Sequence, residues 1–336
     1  MTTPRILFFA DAGPTVGGGH VMRCLTLAQA LVGQGAECAF AAPPEAMRLL
    51  ETFAPGEIER VSIPEGTPSR QAALVADLAR TWGDQAAVLD HYGAGPGEEV
   101  MIRTGVHRLL VLDDLKRGHL CDLVLDSNLD RAAADYPGVD SLTGPAYALA
   151  RPEFAALRAE TLARRATATP GRLLVALGLT DLGGVTARVV EAILPGLGDL
   201  QVDIVLGQGA TSLSTIASLA SRDPRLTLHI DTREVAALTA AADLAIGAGG
   251  SSVWERCCLG LPTLTLILAD NQREAAQALA ARGAAEAVEA GEGDLAGRLM
   301  VLLGEPSRPA AMSLAASALC DGQGANRVAE RLLAIL

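Results

Sequence analysis

The sequence predicts a two-domain α/β protein in which each domain is a parallel β-sheet covered by helices. First, short apolar runs alternate with longer amphipathic segments along most of the 336 residues. Second, the apolar runs are continuous, as they are in strands that are buried on both faces of a parallel sheet. Third, the length fits two domains, because about 100 to 200 residues make one domain.

The first half follows a strand-then-helix order from its start. The run from Arg5 to Ala10 is short, apolar and strand-like, and residues 20–32 that follow it have helical periodicity. The next strand and helix are predicted over 36–41 and 45–53. Three further strands, each ending in an acidic or polar residue, are predicted over 87–90, 107–113 and 122–126.

Turn signals at 136–138 and 143–145, followed by a charged helical stretch over 152–165, interrupt this order. We therefore expect an N-terminal domain over 1–155 and a C-terminal domain over 156–336, with the last helix packing back on the N-terminal domain. The second half is predicted to have strands over 172–177, 202–206, 226–230, 244–247 and 263–268 and closing helices over 294–303, 310–319 and 325–335. Open α/β sheets bind ligands beyond the carboxyl ends of their strands, so two facing domains would place the chemistry in a cleft between them.

Composition excludes several classes of function. Lys and Arg number 27 against 39 Asp and Glu, a net charge of −12, so the basic surface of a nucleic-acid-binding protein is missing. The six cysteines lack C-x-x-C or Cys/His spacing, which favours a reducing cytoplasm over a disulfide scaffold. The first apolar run is too short for a signal peptide, and later ones stop before about 18 residues, so no membrane insertion is expected.

A glycine-rich loop precedes the first predicted helix, and His20 and Arg23 lie in the first turn of that helix. Gly17, Gly18 and Gly19 allow positive φ and close approach of the backbone to a ligand. A helix N-terminus favours an anion and disfavours a protonated histidine. A neutral His20 exposed in a cleft can then act as a general base near pH 7. The alternative is that His20 only opens the helix and bonds to a loop carbonyl.

A dinucleotide-binding fingerprint is a competing interpretation of the same loop. Gly17 and Gly19 match the first two glycines of G-x-G-x-x-G, and Glu37 lies about 20 residues further on. Met22 takes the place of the third glycine, where close helix packing is required. This departure disfavours a nicotinamide or flavin enzyme, and no cofactor is expected.

Polar residues also follow the next strands of the first half. Asp90 and Tyr92 come at the end of one strand, and such acids orient a base, hold sugar hydroxyls or are simply solvated. Four residues of metal-binding types lie close in sequence, namely His91, Asp113, Asp114 and His119. They lack the spacing of a known zinc or two-metal site, so no metal is expected.

In the second half, a strand is followed by the loop of Gly249, Gly250 and Ser251, which opens a helix. Its backbone N–H groups can bind a phosphate, and Glu255 can accept hydrogen bonds from a ribose diol. The alternative is structural, because Ser252-x-x-Glu255 has the spacing of a capping box.

A second loop follows the strand over 263–268 and brings amide side chains to the same edge. Asn271 and Gln272 are candidates for ligand binding, and an ordinary Asp or Asn N-cap is the alternative.

Taken in order, these motifs resemble those of one family, the UDP-2,4-diacetamido-2,4,6-trideoxy-β-L-altropyranose hydrolases of pseudaminic acid biosynthesis. The match extends from about residue 5 to about residue 280. That family is similar to the nucleotide-sugar glycosyltransferases of the GT-B fold, so the resemblance implies two Rossmann-like domains facing across a cleft. The matching segments are Gly17–Cys24, Asp90–Tyr92, Asp113–Leu115, Gly144–Phe154, Gly249–Glu255 and Asp270–Gln272.

The resemblance also implies an activity, in which water attacks the anomeric carbon of a UDP-sugar with inversion and without a metal. It implies that His20 orients and deprotonates the water, with Tyr92 beside it at the sugar. Flagellin or surface-glycan modification is the implied downstream purpose. The implied substrate-binding residues are Gly17, Gly18, Gly19, Arg23, Asp90, Asn271 and Gln272, and the implied UDP-binding residues are Gly249, Gly250, Ser251, Ser252, Glu255 and Thr180.

One loop departs from the family pattern. The family has a double glycine before Ser or Thr, Asp and Pro, whereas this chain has Leu179 in place of the second glycine and Leu182 in place of the proline. A GT-B glycosyltransferase, a sugar-nucleotide epimerase and a non-catalytic UDP-sugar-binding protein remain the alternatives, because a fold alone does not separate them.

Overall fold

A computed structural model describes residues 3–13, 16–166, 170–291 and 294–336. The chain forms two compact units, and the first contains Met1–Leu149 together with Gln323–Leu336. The second unit is Ala150–Gly322, so it begins a few residues before the predicted boundary at 155/156. Each unit contains one parallel sheet, of seven strands in the first and six in the second, which confirms the predicted α/β class.

The sheet of the first unit has the strand order β3-β2-β1-β4-β5-β6-β7. The chain therefore reverses direction across the sheet between β1 and β4, the place where doubly wound sheets bind ligands. Its strands are β1 Arg5–Ala10, β2 Glu37–Ala42, β3 Glu59–Ser62, β4 Ala86–Asp90, β5 Arg108–Leu112, β6 Leu123–Asp126 and β7 Asp140–Thr143. Its helices are α1 Gly19–Gly33, α2 Pro44–Phe53, α3 Pro68–Trp82, α4 Pro96–Arg103 and, from the end of the chain, α13 Gly324–Leu333.

The sheet of the second unit repeats this arrangement with the order β10-β9-β8-β11-β12-β13, so its reversal lies between β8 and β11. Its strands are β8 Arg172–Ala176, β9 Gln201–Leu206, β10 Leu226–Ile230, β11 Leu244–Ala248, β12 Thr263–Ile267 and β13 Glu286–Glu289. Its helices are α5 Pro152–Arg165, α6 Val185–Ile193, α7 Leu213–Ala220, α8 Val235–Ala241, α9 Ser252–Cys258, α10 Arg273–Ala281, α11 Leu295–Gly304 and α12 Ser307–Leu319.

The central strands are apolar on both faces because helices cover both sides of each sheet. In the first unit, Phe8 on β1 stacks on Phe40 of β2 with ring centroids 4.8 Å apart. Val328 and Leu332 of α13 are fully buried in the same core, so the end of the chain completes the unit that its beginning starts. Among the described residues, no helix is long and apolar enough to cross a membrane.

Candidate functional site

The loop after β1 places His20 in the first turn of α1. Gly18 is the N-cap residue, and Gly17 has a φ of 78°, a conformation that glycine adopts without strain. The Gly17 amide donates to the Gly13 carbonyl at 2.7 Å, which closes the loop into a turn; Pro14 and Thr15 lie outside the described residues. His20 is only 5% exposed, so the expectation of an exposed histidine is wrong. The edge of its ring packs against Tyr92, with centroids 4.4 Å apart.

Asp90 connects the predicted residues of this unit to one another. It ends β4, where it pairs in register with Ala10 of β1, and it is 1% exposed. Its Oδ1 lies 3.2 Å from Nδ1 of His20, and the same nitrogen is hydrogen-bonded to the backbone carbonyl of Asp90 at 3.3 Å. Its two carboxylate oxygens accept from Nε and Nη2 of Arg23 at 2.5 and 2.6 Å. Asp90 is thus engaged with His20 and Arg23, and this contact fixes the orientation of both side chains.

The ionised form of Asp90 is stabilised by these contacts. Burial alone raises the pKa of a carboxyl, but the charges of Arg23 and His20 and the hydrogen bonds from Arg23 outweigh it and lower the pKa of Asp90. Burial lowers the pKa of Arg23, but the charge of Asp90 and its hydrogen bonds outweigh burial and raise that pKa, so Arg23 stays charged. Asp90 therefore stays ionised beside the imidazole, and Arg23 balances its charge.

Tyr92 is held by Asp114, which the sequence analysis considers as a metal ligand and as part of a matching segment but not as a partner of Tyr92. The Tyr92 hydroxyl donates to Oδ2 of Asp114 at 2.9 Å, and Nη1 of Arg23 donates to the same oxygen at 3.2 Å. Burial and the Asp114 charge raise the pKa of Tyr92, so its phenol stays protonated and acts as a donor. Asp114 follows β5, the neighbour of β4, and this position is the signal that could have identified it.

A second polar cluster lies in the same unit and contains two of the four residues considered as metal ligands, Asp113 and His119. Nδ1 of His119 lies 2.7 Å from Oε1 of Glu99, and its Nε2 lies 3.5 Å from Oδ2 of Asp113. The Tyr136 hydroxyl donates to Asp113 and to Asp126, at 3.0 and 2.8 Å. Within the described ranges, no group of three or more His, Cys, Asp or Glu residues is arranged to hold a metal ion.

In the second unit, the loop between β11 and α9 carries the predicted phosphate-binding residues. The Gly249 amide donates to the Leu266 carbonyl of β12 at 3.1 Å. Ser251 is the N-cap residue of α9 and makes no side-chain capping bond. The capping-box alternative is wrong, because Oε1 and Oε2 of Glu255 accept from Nε and Nη2 of Arg151 at 2.6 and 2.9 Å. Arg151 lies in the matching segment Gly144–Phe154, but the sequence does not predict its pairing with Glu255, from which 104 residues separate it.

The loop after β12 lies against the loop after β11. Asp270–Gln272 form one 3₁₀ turn in which Asn271 is exposed and Gln272 is half-buried. Neither this turn nor α10 is capped by a side chain, so the N-cap alternative is wrong. A Cβ added to Gly249 would lie 3.1 Å from Cβ of Gln272, so a glycine permits this close packing. Oε1 of Gln272 accepts from the Leu268 amide at 3.1 Å.

Thr180 lies in the loop after β8, the strand that pairs with β11. It is half-buried next to Asp181, whose φ is 45°. The Asp181 carboxylate accepts from the backbone amides of Thr186 and Ser212 at 2.8 and 2.9 Å. The loop is thus fixed by its own aspartate. The predicted UDP-binding residues follow the neighbouring strands β8 and β11, and the predicted substrate-binding residues Asn271 and Gln272 follow β12, the next strand of the same sheet.

Comparison with known proteins places the fold in a class. No family model matches the chain. The crystal structure of MurG from Acinetobacter baumannii superposes with a TM-score of 0.70 and 18% identity, covering 98% of this chain and 99% of that one. Together with the two parallel-sheet units, this likeness defines a protein of the GT-B fold, which confirms the predicted fold class of two Rossmann-like parallel-sheet domains.

Two relatives in sequence are similar over most of their length. The UDP-2,4-diacetamido-2,4,6-trideoxy-β-L-altropyranose hydrolase of Campylobacter jejuni is 25% identical over 286 residues, which are 83% of this chain and 97% of that protein. The predicted resemblance to this hydrolase is therefore confirmed. The UDP-N-acetylglucosamine–N-acetylmuramyl-(pentapeptide) pyrophosphoryl-undecaprenol N-acetylglucosamine transferase of Xanthomonas campestris is 28% identical over 342 residues, covering 94% of this chain and 79% of the transferase.

Proposed function

We propose that this chain is an inverting, metal-independent UDP-sugar hydrolase that releases UDP and 2,4-diacetamido-2,4,6-trideoxy-L-altropyranose in pseudaminic acid biosynthesis. The observation that carries the proposal is the contact between His20 and Asp90. Binding of a nucleotide sugar does not need a histidine held in one orientation by a buried carboxylate, whereas activation of water does. The Campylobacter hydrolase, aligned along nearly its whole length, supports the choice of substrate.

The imidazole of His20 has the features of a general base. With Asp90 at Nδ1, the proton of the neutral ring is favoured on that nitrogen, which leaves Nε2 to accept one. As Nε2 takes a proton from water, the water oxygen bonds to the anomeric carbon and the bond from that carbon to the UDP oxygen breaks. Asp90 then stabilises the imidazolium ion that forms. Tyr92, held by Asp114, positions the sugar beside His20.

The leaving group is the part of the substrate that the second unit binds in this proposal. Negative charge grows on UDP as its bond to the sugar breaks, and backbone N–H groups aimed at that charge stabilise it. The amides of Gly250 and Ser251 supply such groups. The Gly249 amide donates to Leu266, so Gly249 contributes the close approach that a residue without a side chain allows, and Glu255 binds the ribose. Thr180, Ser252, Asn271 and Gln272 make the remaining predicted contacts to phosphate or sugar.

A glycosyltransferase is the second candidate, and the similarity to the Xanthomonas transferase over 94% of this chain favours it. It would use the same donor but replace water by an acceptor hydroxyl. The two reactions differ in whether UDP is released when no acceptor is present.

Proton NMR of the purified protein with the diacetamido-trideoxy-altrose UDP-sugar, in buffer containing a chelator, tests the proposal. Prompt release of UDP with an initially inverted free sugar is the expected result. Saturable UDP binding without release would favour the transferase or a binding protein instead. Release that stops when the chelator is added would contradict a metal-independent reaction.

A further inference from the structure

Arg256 is a buried cation directly beneath the loop between β11 and α9. It is 4% exposed. Its Nη2 donates to the Ala248 carbonyl at 2.6 Å, and its Nη1 donates to the Ser252 hydroxyl at 3.0 Å. These two partners flank Gly249, Gly250 and Ser251. The guanidinium therefore ties together the two ends of the loop proposed to bind phosphate.

The surroundings of Arg256 leave its charge uncompensated. Among the described residues, no carboxylate forms an ion pair with it, and its buried Nε has no hydrogen-bond partner. The neighbouring Glu255 carboxylate is bonded through both oxygens to Arg151. Burial lowers the pKa of Arg256 to about 10, so the side chain is still charged at neutral pH. An unpaired buried cation is unfavourable unless an anion compensates it.

A glycine of strand β11 leaves room for the guanidinium of Arg256. A Cβ added to Gly247 of β11 would lie 2.5 Å from Cζ of Arg256. A glycine in the middle of a buried strand weakens the strand, and close approach of another group is a reason for it. The absence of a side chain at Gly247 thus leaves the space that the guanidinium of Arg256 occupies.

A second arginine of the same unit provides the contrast. Arg165 at the end of α5 donates through Nε, Nη1 and Nη2 to the carbonyls of Leu259, Ala242 and Thr239. All three of its nitrogens have partners, and its hydrogen bonds account for its position. Arg256 has fewer partners, and hydrogen bonding alone does not explain a charged group there.

We propose that Arg256 is a positioning residue for the diphosphate of the substrate, holding the loop at Ala248 and Ser252 and supplying the positive charge that makes the loop selective for an anion. This inference rests on the proposed function, because it assumes that a nucleoside diphosphate binds there. The inference adds a residue that determines specificity, because the positive charge of Arg256 favours UDP, which carries a diphosphate, over uridine, which does not.

Calorimetric titration of UDP and uridine into the wild type, Arg256→Gln, Arg256→Lys and Arg165→Gln tests the inference. Arg256→Gln is expected to weaken UDP binding by about tenfold or more and uridine binding by less than about twofold. Arg256→Lys keeps the charge and is expected to recover part of the UDP affinity. The matched control Arg165→Gln removes a half-buried guanidinium of the same unit and is expected to preserve the ratio of the two affinities.

Equal loss of UDP and uridine in Arg256→Gln, with no recovery in Arg256→Lys, would overturn the inference and indicate a merely structural role. If Arg256→Gln does not fold, Gly247→Ala takes its place, because its methyl group displaces the guanidinium but leaves Arg256 in the chain. Gly247→Ala must then weaken UDP more than uridine for the inference to stand. A wild-type protein that binds no UDP would overturn the proposed function itself, which separates the two failures.

Discussion

Nδ1 of His20 lies 3.2 Å from Oδ1 of Asp90, although the two residues are 70 positions apart in the sequence. The strand order brings them together, because β4 pairs with β1 and Asp90 is in register with Ala10. The Asp11 amide donates to the Asp90 carbonyl at 2.8 Å, which fixes the two strand ends to each other. The pairing of β1 with β4 therefore brings the end of β4, which carries Asp90, next to the start of α1, which carries His20.

His20→Asn is expected to lower turnover on the order of 10³-fold while UDP affinity changes by less than about twofold. Asparagine keeps a polar group near Asp90 but cannot accept the proton of the water. NMR of UDP release gives the rate, and calorimetry with UDP gives the affinity. If UDP affinity falls together with turnover, the assignment of the base to the first unit and the nucleotide to the second is wrong.

Tyr92→Phe is expected to lower turnover by about tenfold or more and the free energy of unfolding by about 1 kcal/mol, because one hydrogen bond to Asp114 is lost while the ring stays against His20. Steady-state kinetics and urea unfolding measure the two effects. Tyr136→Phe is the matched control, since that phenol also donates to buried carboxylates but belongs to the other cluster. The control should lose stability and keep its turnover; equal loss of turnover in both variants would assign Tyr92 a structural role.

Glu255→Ala is expected to weaken binding of UDP more than binding of uracil, because uracil has no ribose for the carboxylate to contact. The variant also leaves Arg151 unpaired and is expected to lower the free energy of unfolding by about 2 kcal/mol. Arg151→Met breaks the same ion pair but keeps the carboxylate, so its UDP affinity should fall less. Calorimetry with UDP and uracil compares them, and a similar loss for both ligands would limit Glu255 to its ion pair.

His119 makes the stability of the first unit depend on pH. Burial lowers the pKa of this imidazole, but its bonds to Asp113 and Glu99 outweigh burial and raise the pKa to about 9, above the ordinary value of 6.5. Its stabilisation is therefore fully present below about pH 6.5 and is lost as pH rises through about 9. The loss amounts to about 3 kcal/mol.

Urea unfolding of the wild type and His119→Gln across this pH range measures that loss. The stability advantage of the wild type over the variant is expected to shrink as pH rises, since glutamine does not titrate. An advantage that stays constant with pH would show that His119 does not carry a proton between the two carboxylates.

The sequence predicts the central strands well because they are continuous apolar runs, as β1 and β12 illustrate. It does not reveal the edge strands β3, β7 and β13, which are short and partly exposed, and whose pairing depends on a neighbouring strand more than on their own residues. Motifs at strand ends are sufficient to select His20 and Tyr92 as candidate catalytic residues. Such motifs do not predict their burial, because the side chains that cover a residue come from elsewhere in the chain.

The same reason explains which contacts of the candidate site the sequence analysis does not predict. Asp114 and Arg151 act through partners that lie 22 and 104 residues away, and no local pattern marks such a pair. The signals that do remain are positional, since Asp114 follows a strand next to β4. Residues after adjacent parallel strands are therefore the ones to consider together when a sheet order can be inferred.

The return of α13 to the first unit bears on how the protein is made. Val328, Ala329 and Leu332 share a core with Ile6 and Phe8, yet the whole second unit lies between them in the chain. During synthesis, part of the apolar surface of the first sheet therefore stays uncovered until α13 has left the ribosome. A nascent chain that stalls before α13 is synthesised consequently exposes apolar surface. Chaperones and proteases are expected to bind such a chain more readily than one in which α13 covers the core.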